Sequence, residues 1–202
     1  MANVAYMQGR KTYQRPQALL LANNPGTIET VSGNSFYVPV GTEFTDFIIL
    51  SDDNRGPIDM TPDRIEKRER TINGRMRSYH IADKMKINVS WNMIPSRAFS
   101  TLPGFDEETG KTALARSEQY TSDGGAGGVE MLDWYQNNVG SFFVYLAYDK
   151  HTNFGDQESS YTHLAKYNQI MEVFFSDFKY TIVKRGGSTY DFWNVSFSLE
   201  EV

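Results

Sequence analysis

Residues 64–91 read RIEKRERTINGRMRSYHIADKMKINVSW, and this stretch decides what kind of fold the chain can adopt. Its last part alternates without a break: Met85, Ile87, Val89 and Trp91 are apolar, while Lys86, Asn88 and Ser90 between them are polar. That is the period-two pattern of a strand with one face in a core and the other in water. Upstream, Asn73 and Gly74 stand between two extended charged runs. Asn-Gly is the dipeptide a type I′ hairpin turn needs, because both central residues of that turn take positive φ. A projecting β-hairpin over residues 62–82 is expected. Its flanks carry few apolar side chains, Ile65, Ile72 and Met76, so the tip should stand clear of its own domain.

The same alternation returns downstream. Trp193, Val195, Phe197 and Leu199 alternate with Asn194, Ser196 and Ser198, so the chain should end as a packed strand. Ile170–Phe175 and Phe178–Lys184 read as strand with a bulge at Ser176 and Asp177, turning through Arg185–Ser188. FFVYLAY, Phe142–Tyr148, reads as a buried strand. Before it, Val129, Leu132, Tyr135 or Gln136, and Val139 fall at helical spacing, with Glu130 and Asp133 near the first turn and a stop at Asn138–Gly140. One short helix is expected there. Residues 95–128 otherwise lose periodicity, and Leu102–Gly110, Thr121–Gly128 (TSDGGAGG) and Asp149–Ser160 read as surface loops.

In the N-terminal direction, Phe44–Leu50 (FTDFIIL) is the first convincing strand. Residues 1–43 are punctuated by Gly9, Pro16, Pro25, Gly26, Gly33, Pro39 and Gly41, which argues against long helices or central strands and for an extended arm. Leu19, Leu20 and Leu21 would be costly to leave in water, so the arm should dock on its own domain or on a neighbouring subunit. The expected organisation is an arm over 1–43 and a single β-rich domain over 44–202. The fold class is mainly β, an antiparallel β-sandwich or partly closed barrel, with one short α-helix, the arm and the long hairpin.

Composition narrows the function. The 202 residues are 40% hydrophobic and 22% charged, an ordinary globular balance, and 28 aromatics offer large core anchors. Zero cysteines exclude disulfides, cysteine zinc sites, iron–sulfur clusters and thiol nucleophiles. The net charge of −5 argues against general adhesion to nucleic acid or anionic membrane. No segment approaches the roughly 18 consecutive apolar residues of a membrane helix. Met1–Met7 lacks a basic region and Ala18–Ala22 is too brief for a signal peptide, so a soluble chain, not exported by the general secretory route, is expected.

Catalytic patterns are not found in the sequence. His80, His151 and His163 stand far apart, with no pair at the spacing of a metalloprotease. Gly124–Gly128 is followed by no Lys-Ser or Lys-Thr, which a phosphate loop needs. The carboxylate pairs Asp52/Asp53, Glu107/Glu108 and Glu200/Glu201 are sequence neighbours, whereas acid catalysis needs two groups facing across a cleft. No Gly-X-Ser-X-Gly elbow occurs. No enzymatic activity, cofactor or metal is expected.

The charged hairpin is the best functional candidate. Arg64, Lys67, Arg68, Arg70, Arg75 and Arg77 are offset by Asp63, Glu66 and Glu69, a local excess of +3 on an acidic chain. A two-stranded ribbon can enter a major groove, so a nucleic-acid module is one reading; a solvated hairpin is another. The interleaved acids favour a third, a protein partner whose mixed charges pair with the hairpin and fix its register. Arg64, Lys67, Arg68, Arg70, Asn73, Gly74, Arg75 and Arg77 are then candidate inter-subunit contacts, as are Leu19, Leu20 and Leu21 in the arm.

This layout resembles the structural tail proteins of tailed bacteriophages, in particular the tail-tube-like family. The resemblance rests on RTINGRMRSYHIADKMKINVSW, on MLDWYQNNVGSFFVYLAY, and on FKYTIVKRGG with YDFWNVSFSLEEV, together roughly half the chain. It implies a homo-oligomer in rings, sheets of adjacent subunits joined into a continuous barrel, and arm and hairpin contacting adjacent rings. It also implies other tail proteins as neighbours, no cofactor, no membrane, and a place in the virion tail after synthesis in the host cytoplasm. DNA would at most pass through a lumen without specific binding. A tail-tip or baseplate protein, or a tail-completion adaptor, shares the same layout.

Overall fold

The alternating stretches pair with one another. In a computed structural model that describes residues 18–31, 34–40, 46–98, 105–106, 111–112, 120–147, 167–185 and 190–202, β6 (Met76–Pro95) and β11 (Phe192–Glu201) run antiparallel. Ile87 lies opposite Leu199, Val89 opposite Phe197, and Trp91 opposite Val195. All six side chains are buried, and the polar residues between them face outward. β10 (Gln169–Lys184) pairs with the other side of β11, and the bulge expected near Ser176 is present as a register shift between Phe175 and Asp177.

A seven-stranded antiparallel sheet results, in the order β4–β1–β9–β10–β11–β6–β5. The remaining members are β1 (Leu19–Ala22), β4 (Phe47–Ile49), β5 (Asp59–Arg70) and β9 (Phe142–Leu146). β2 (Thr27–Val31) and β3 (Asn34–Val38) form a separate two-stranded sheet, as do the two-residue strands β7 (Phe105–Asp106) and β8 (Lys111–Thr112). The seven-stranded sheet curls, bringing the two ends of its strand order together: the Trp91 indole Nε1 donates to the Ser51 carbonyl, just after β4, at 2.7 Å. No ladder closes this seam among the described residues. The fold is therefore an open, sandwich-like β structure rather than a closed barrel.

One short helix, α1 (Gly128–Asn137), covers the concave face. Trp134 meets Phe142 edge-on, Tyr135 stacks on Phe178 at 4.5 Å, and Gly128 lies against Trp193. Its buried stripe is Glu130, Met131 and Trp134 rather than the expected Val129, Leu132, Tyr135 and Val139. Val129 and Leu132 are only half-buried, and Val139 lies past the helix end and is 93% exposed. The large indole of Trp134 takes the inward position and rotates the helix about its axis relative to the expected stripe.

Two further expectations are corrected. Of the two dockings expected for Leu19, Leu20 and Leu21, the chain's own body is the one found, as a central strand and not an extended arm with inter-subunit contacts. β1 lies between β4 and β9, and the three leucines are 1–2% exposed in this chain's own core. A continuous LLLA run is what a strand covered on both faces requires. The β2–β3 hairpin is tied to the body where Tyr37 and Tyr167 exchange backbone hydrogen bonds and where the Tyr145 hydroxyl donates to the Asn24 carbonyl. The described residues of 1–43 thus belong to the main body.

TSDGGAGG, expected as surface loop, is largely buried. Its glycines are demanded by lack of space, since a Cβ on Gly127 would lie 2.6 Å from the Pro95 carbonyl oxygen. Asp123 satisfies the local donors, accepting from Ser51 Oγ and the Asp52 amide, both at 2.7 Å, and from the Gly125 amide at 2.9 Å.

Candidate functional site: the charged ribbon and an open sheet edge

β5 and β6 separate from the body beyond the Glu200–Lys86 pair, where β11 ends its ladder with β6. From Pro62 and Met85 outward they form a two-stranded ribbon about 27 Å long at the usual rise per residue. Nearly every side chain on it is exposed. The sequence predicts this, because the segment has few apolar side chains to bury.

The turn differs from expectation. Gly74 has φ +76°, but Asn73 has no positive φ, which excludes type I′. The Gly74 amide donates to the Thr71 carbonyl at 2.8 Å, and the Thr71 amide and Oγ1 both donate to the Arg75 carbonyl. This is a three-residue loop with Gly74 as its left-handed residue. The Thr71 hydroxyl supports that closure, and it could have been read from the sequence.

The ribbon's charges are stratified. In the stem every acid is engaged: Asp83 accepts from Arg64 at 2.9 Å and lies 3.0 Å from His80, Glu66 holds Arg68 and Ser78, Lys67 pairs with Glu69, and Lys86 with Asp63 and Glu200. Hydrogen bonds from Arg64 and then His80 hold the Asp83 carboxyl below its ordinary range; those from Ser78 and Arg68 do the same for Glu66. At the tip, Arg70, Arg75 and Arg77 have no carboxylate partner among the described residues. Exposed apolar groups accompany them: Ile72 at the apex, then Met76, Tyr79 and Ile81. The structure therefore gathers Arg70, Asn73, Gly74, Arg75 and Arg77 at one end, and assigns Arg64, Lys67 and Arg68 to internal pairing in the stem.

A second surface escaped the sequence reading. β9 pairs with β10 only over Gln169–Val173. From Phe174 to Lys184, β10 has β11 on one side and, among the described residues, no main-chain partner on the other. Phe174, Tyr180, Ile182 and Val183 are exposed along this edge. The sign of it in the sequence was a mismatch in length between FFVYL and the far longer QIMEVFFSDFKYTIVK.

Open clefts among the described residues include two. One, of about 350 Å³, is lined by Asp53, Asn54, Met93, Tyr120, Ser122 and Phe192 among others; the second, of about 280 Å³, by Asp59, Asn88, Asp177, Ser196 and Ser198. Of the histidines, His80 lies on the ribbon, while His151 and His163 fall outside the described residues, as do Glu107 and Glu108. Among the described residues no helix is long and apolar enough to cross a membrane.

A scan of the sequence against models of known protein families matched none of them, and a search of curated proteins returned no relative.

Proposed function

We propose that this chain is a virion structural protein of a bacteriophage tail that self-assembles into rings or a tube, like the tail-tube-like proteins it resembles. The observation that carries the reading is the β10 edge from Phe174 to Lys184, which has no main-chain partner among the described residues. A long edge with exposed aromatic and aliphatic side chains is a template for another chain, and monomeric proteins blunt such edges with charge, proline or a cover. This chain does so at β5, whose edge carries Pro62 and an almost unbroken run of charged residues, whereas along the β10 edge only the charges of Asp177, Lys179 and Lys184 interrupt the exposed aromatic and aliphatic side chains. The ribbon, which touches the body only at its base among the described residues, where Lys84 reaches the Val202 carbonyl and the Met85 amide reaches Glu201, supplies a second arm for an adjacent ring. Other tail proteins are its neighbours, and DNA passes through without specific binding. No cofactor or catalytic step enters this reading.

Light scattering over a concentration series, followed by electron microscopy, tests it. Rings or tubes are expected, together with their loss in the double variant Ile182→Lys, Val183→Lys, whose exposed positions leave the fold intact. A wild-type monomer at every concentration overturns self-assembly and leaves a tail-tip, baseplate or tail-completion adaptor.

The unpartnered tip arginines favour one second reading, a nucleic-acid-binding β-ribbon. It requires duplex affinity that falls steeply with salt and with Arg75→Ala or Arg77→Ala; no binding at low salt ends it.

A further inference from the structure

The Asn73–Gly74 pair that makes the turn also carries chemistry of its own. It is the one Asn-Gly step in the sequence, and it lies at the most exposed point of the ribbon. Ile72 beside it is fully exposed, and nothing lies within 4 Å of where a Cβ on Gly74 would be. An asparagine followed by glycine can cyclise, because no side chain on the following residue hinders its amide from reaching the asparagine Cγ.

We propose that Asn73 is a site of spontaneous covalent modification, deamidating through a cyclic imide to leave an aspartyl or isoaspartyl residue at the ribbon tip. The Gly74 amide nitrogen gives up its proton and attacks Cγ of Asn73. A Cγ–N bond forms, the Cγ–Nδ2 bond breaks, and the side-chain nitrogen leaves as ammonia with that proton. One water then opens the ring: attack at Cγ leaves an ordinary aspartyl residue where Asn73 stood, and attack at the backbone carbonyl leaves an isoaspartyl linkage through the side chain. No oxidant or enzyme is needed.

The fold sets the rate and the selectivity. The Gly74 amide is held by the Thr71 carbonyl at 2.8 Å, so the turn must open before the nitrogen can attack. No packing resists that opening, and an exposed amide hydrogen bond of ordinary net strength slows the reaction only about three- to tenfold. Asp123–Gly124 is the contrasting case, since an aspartate before glycine can close the same ring. Asp123 is buried, and its carboxylate oxygens accept from Ser51, Asp52 and Gly125. Cγ is thereby kept from the Gly124 amide, and that site stays unmodified.

The consequence falls on the tip. A neutral amide becomes a carboxylate beside Arg75 and Arg77, lowering the local excess from three charges to two. The isoaspartyl product also adds a methylene to the main chain within a turn closed by three hydrogen bonds of 2.8–3.0 Å. If the ribbon is an assembly arm, which rests on the proposal above, subunits that stay unassembled lose competence with age, and those whose tips are covered do not.

The test holds the full-length protein in neutral and in mildly alkaline buffer and follows Asn73 by peptide mass mapping, with the same chain unfolded in denaturant as the clock. A gain of one mass unit confined to the peptide containing Asn73 is expected, faster in alkali, three- to tenfold slower in the native chain, and absent in Asn73→Gln. An unmodified native Asn73 when the denatured chain has fully converted overturns the proposal, as does equal gain at other asparagines. The mass readout does not depend on assembly. Fractions separated by their one-charge difference are then compared for ring formation, so failure of the tail reading is seen separately.

Discussion

Gly127 is where a single missing methyl group fixes the relation of helix to sheet. A Cβ there would lie within 2.6–2.8 Å of backbone atoms of Pro95 and Arg97, whereas one on Gly128 would meet the Trp193 side chain at 2.9–3.1 Å. Backbone cannot yield as an indole can. Gly127→Ala is expected to cost about 2–3 kcal/mol and Gly128→Ala less, both read from urea midpoints. Three residues on, Glu130 closes the helix start: its carboxylate accepts from the Gly127 amide at 3.0 Å and from the Ala98 amide at 3.2 Å. Burial nevertheless raises its pKa from the ordinary 4.5, against those hydrogen bonds. A carboxyl with a raised folded pKa takes up protons on folding, so its contribution is fully present below 4.5 and declines as pH rises through the folded value. Glu130→Gln should remove that decline from a plot of urea midpoint against pH. The period-two strands were legible because alternation reports burial directly. The roles of Glu130 and Gly127 were not, because they depend on the 95–98 segment, distant in sequence, that packs against them.

At the scale of elements, the ribbon and the body are energetically separable. Replacing residues 64–83 by a two-residue Asn-Gly turn leaves the Asp63–Lys84 pair as the new end and touches none of the core. The domain's stability should change by less than about 0.5 kcal/mol, as for surface changes remote from packing, while assembly is lost. Full assembly by the shortened protein would refute the ribbon's role as an arm. Within the ribbon, Asp83 and Glu66 have lowered pKa values. The order they confer is present above the ordinary carboxylate range and is lost as pH falls through the lowered values. Protection from amide exchange across residues 62–83, measured relative to the unfolded chain at the same pH, should fall in acid before that of the body does. The hairpin was readable because a charged run interrupted by Asn-Gly has few other ways to fold. β1 was misread because prolines and glycines around it suggested an arm. Tertiary pairing with β4 and β9, invisible locally, overrode that signal.

For the whole molecule, the curl of the sheet depends on a small seam. Trp91, fully buried, ties β6 to Ser51 beyond β4, and Ala126 bridges Leu50 alongside. Trp91→Phe leaves a buried carbonyl without its donor and a void where the indole was, an expected loss of about 2–3 kcal/mol by thermal or urea unfolding. The overall charge was legible from composition, but its placement was not. The hairpin's +3 leaves −8 on the rest of a chain whose total is −5, and only folding sets the bare arginines at the far end of the ribbon. The open β10 edge was equally hidden, because it is defined by where a neighbouring strand stops.

β6 runs unbroken from Met76 at the ribbon tip to Pro95 in the core, which gives the molecule a load path. Tension applied at the tip along the strand axis reaches the β6–β11 ladder in shear, so its hydrogen bonds share the force and do not open one at a time. A subunit gripped by its ribbon should resist stretching far better than one pulled crosswise, with the strand acting as a tie-rod anchored in the hydrophobic body.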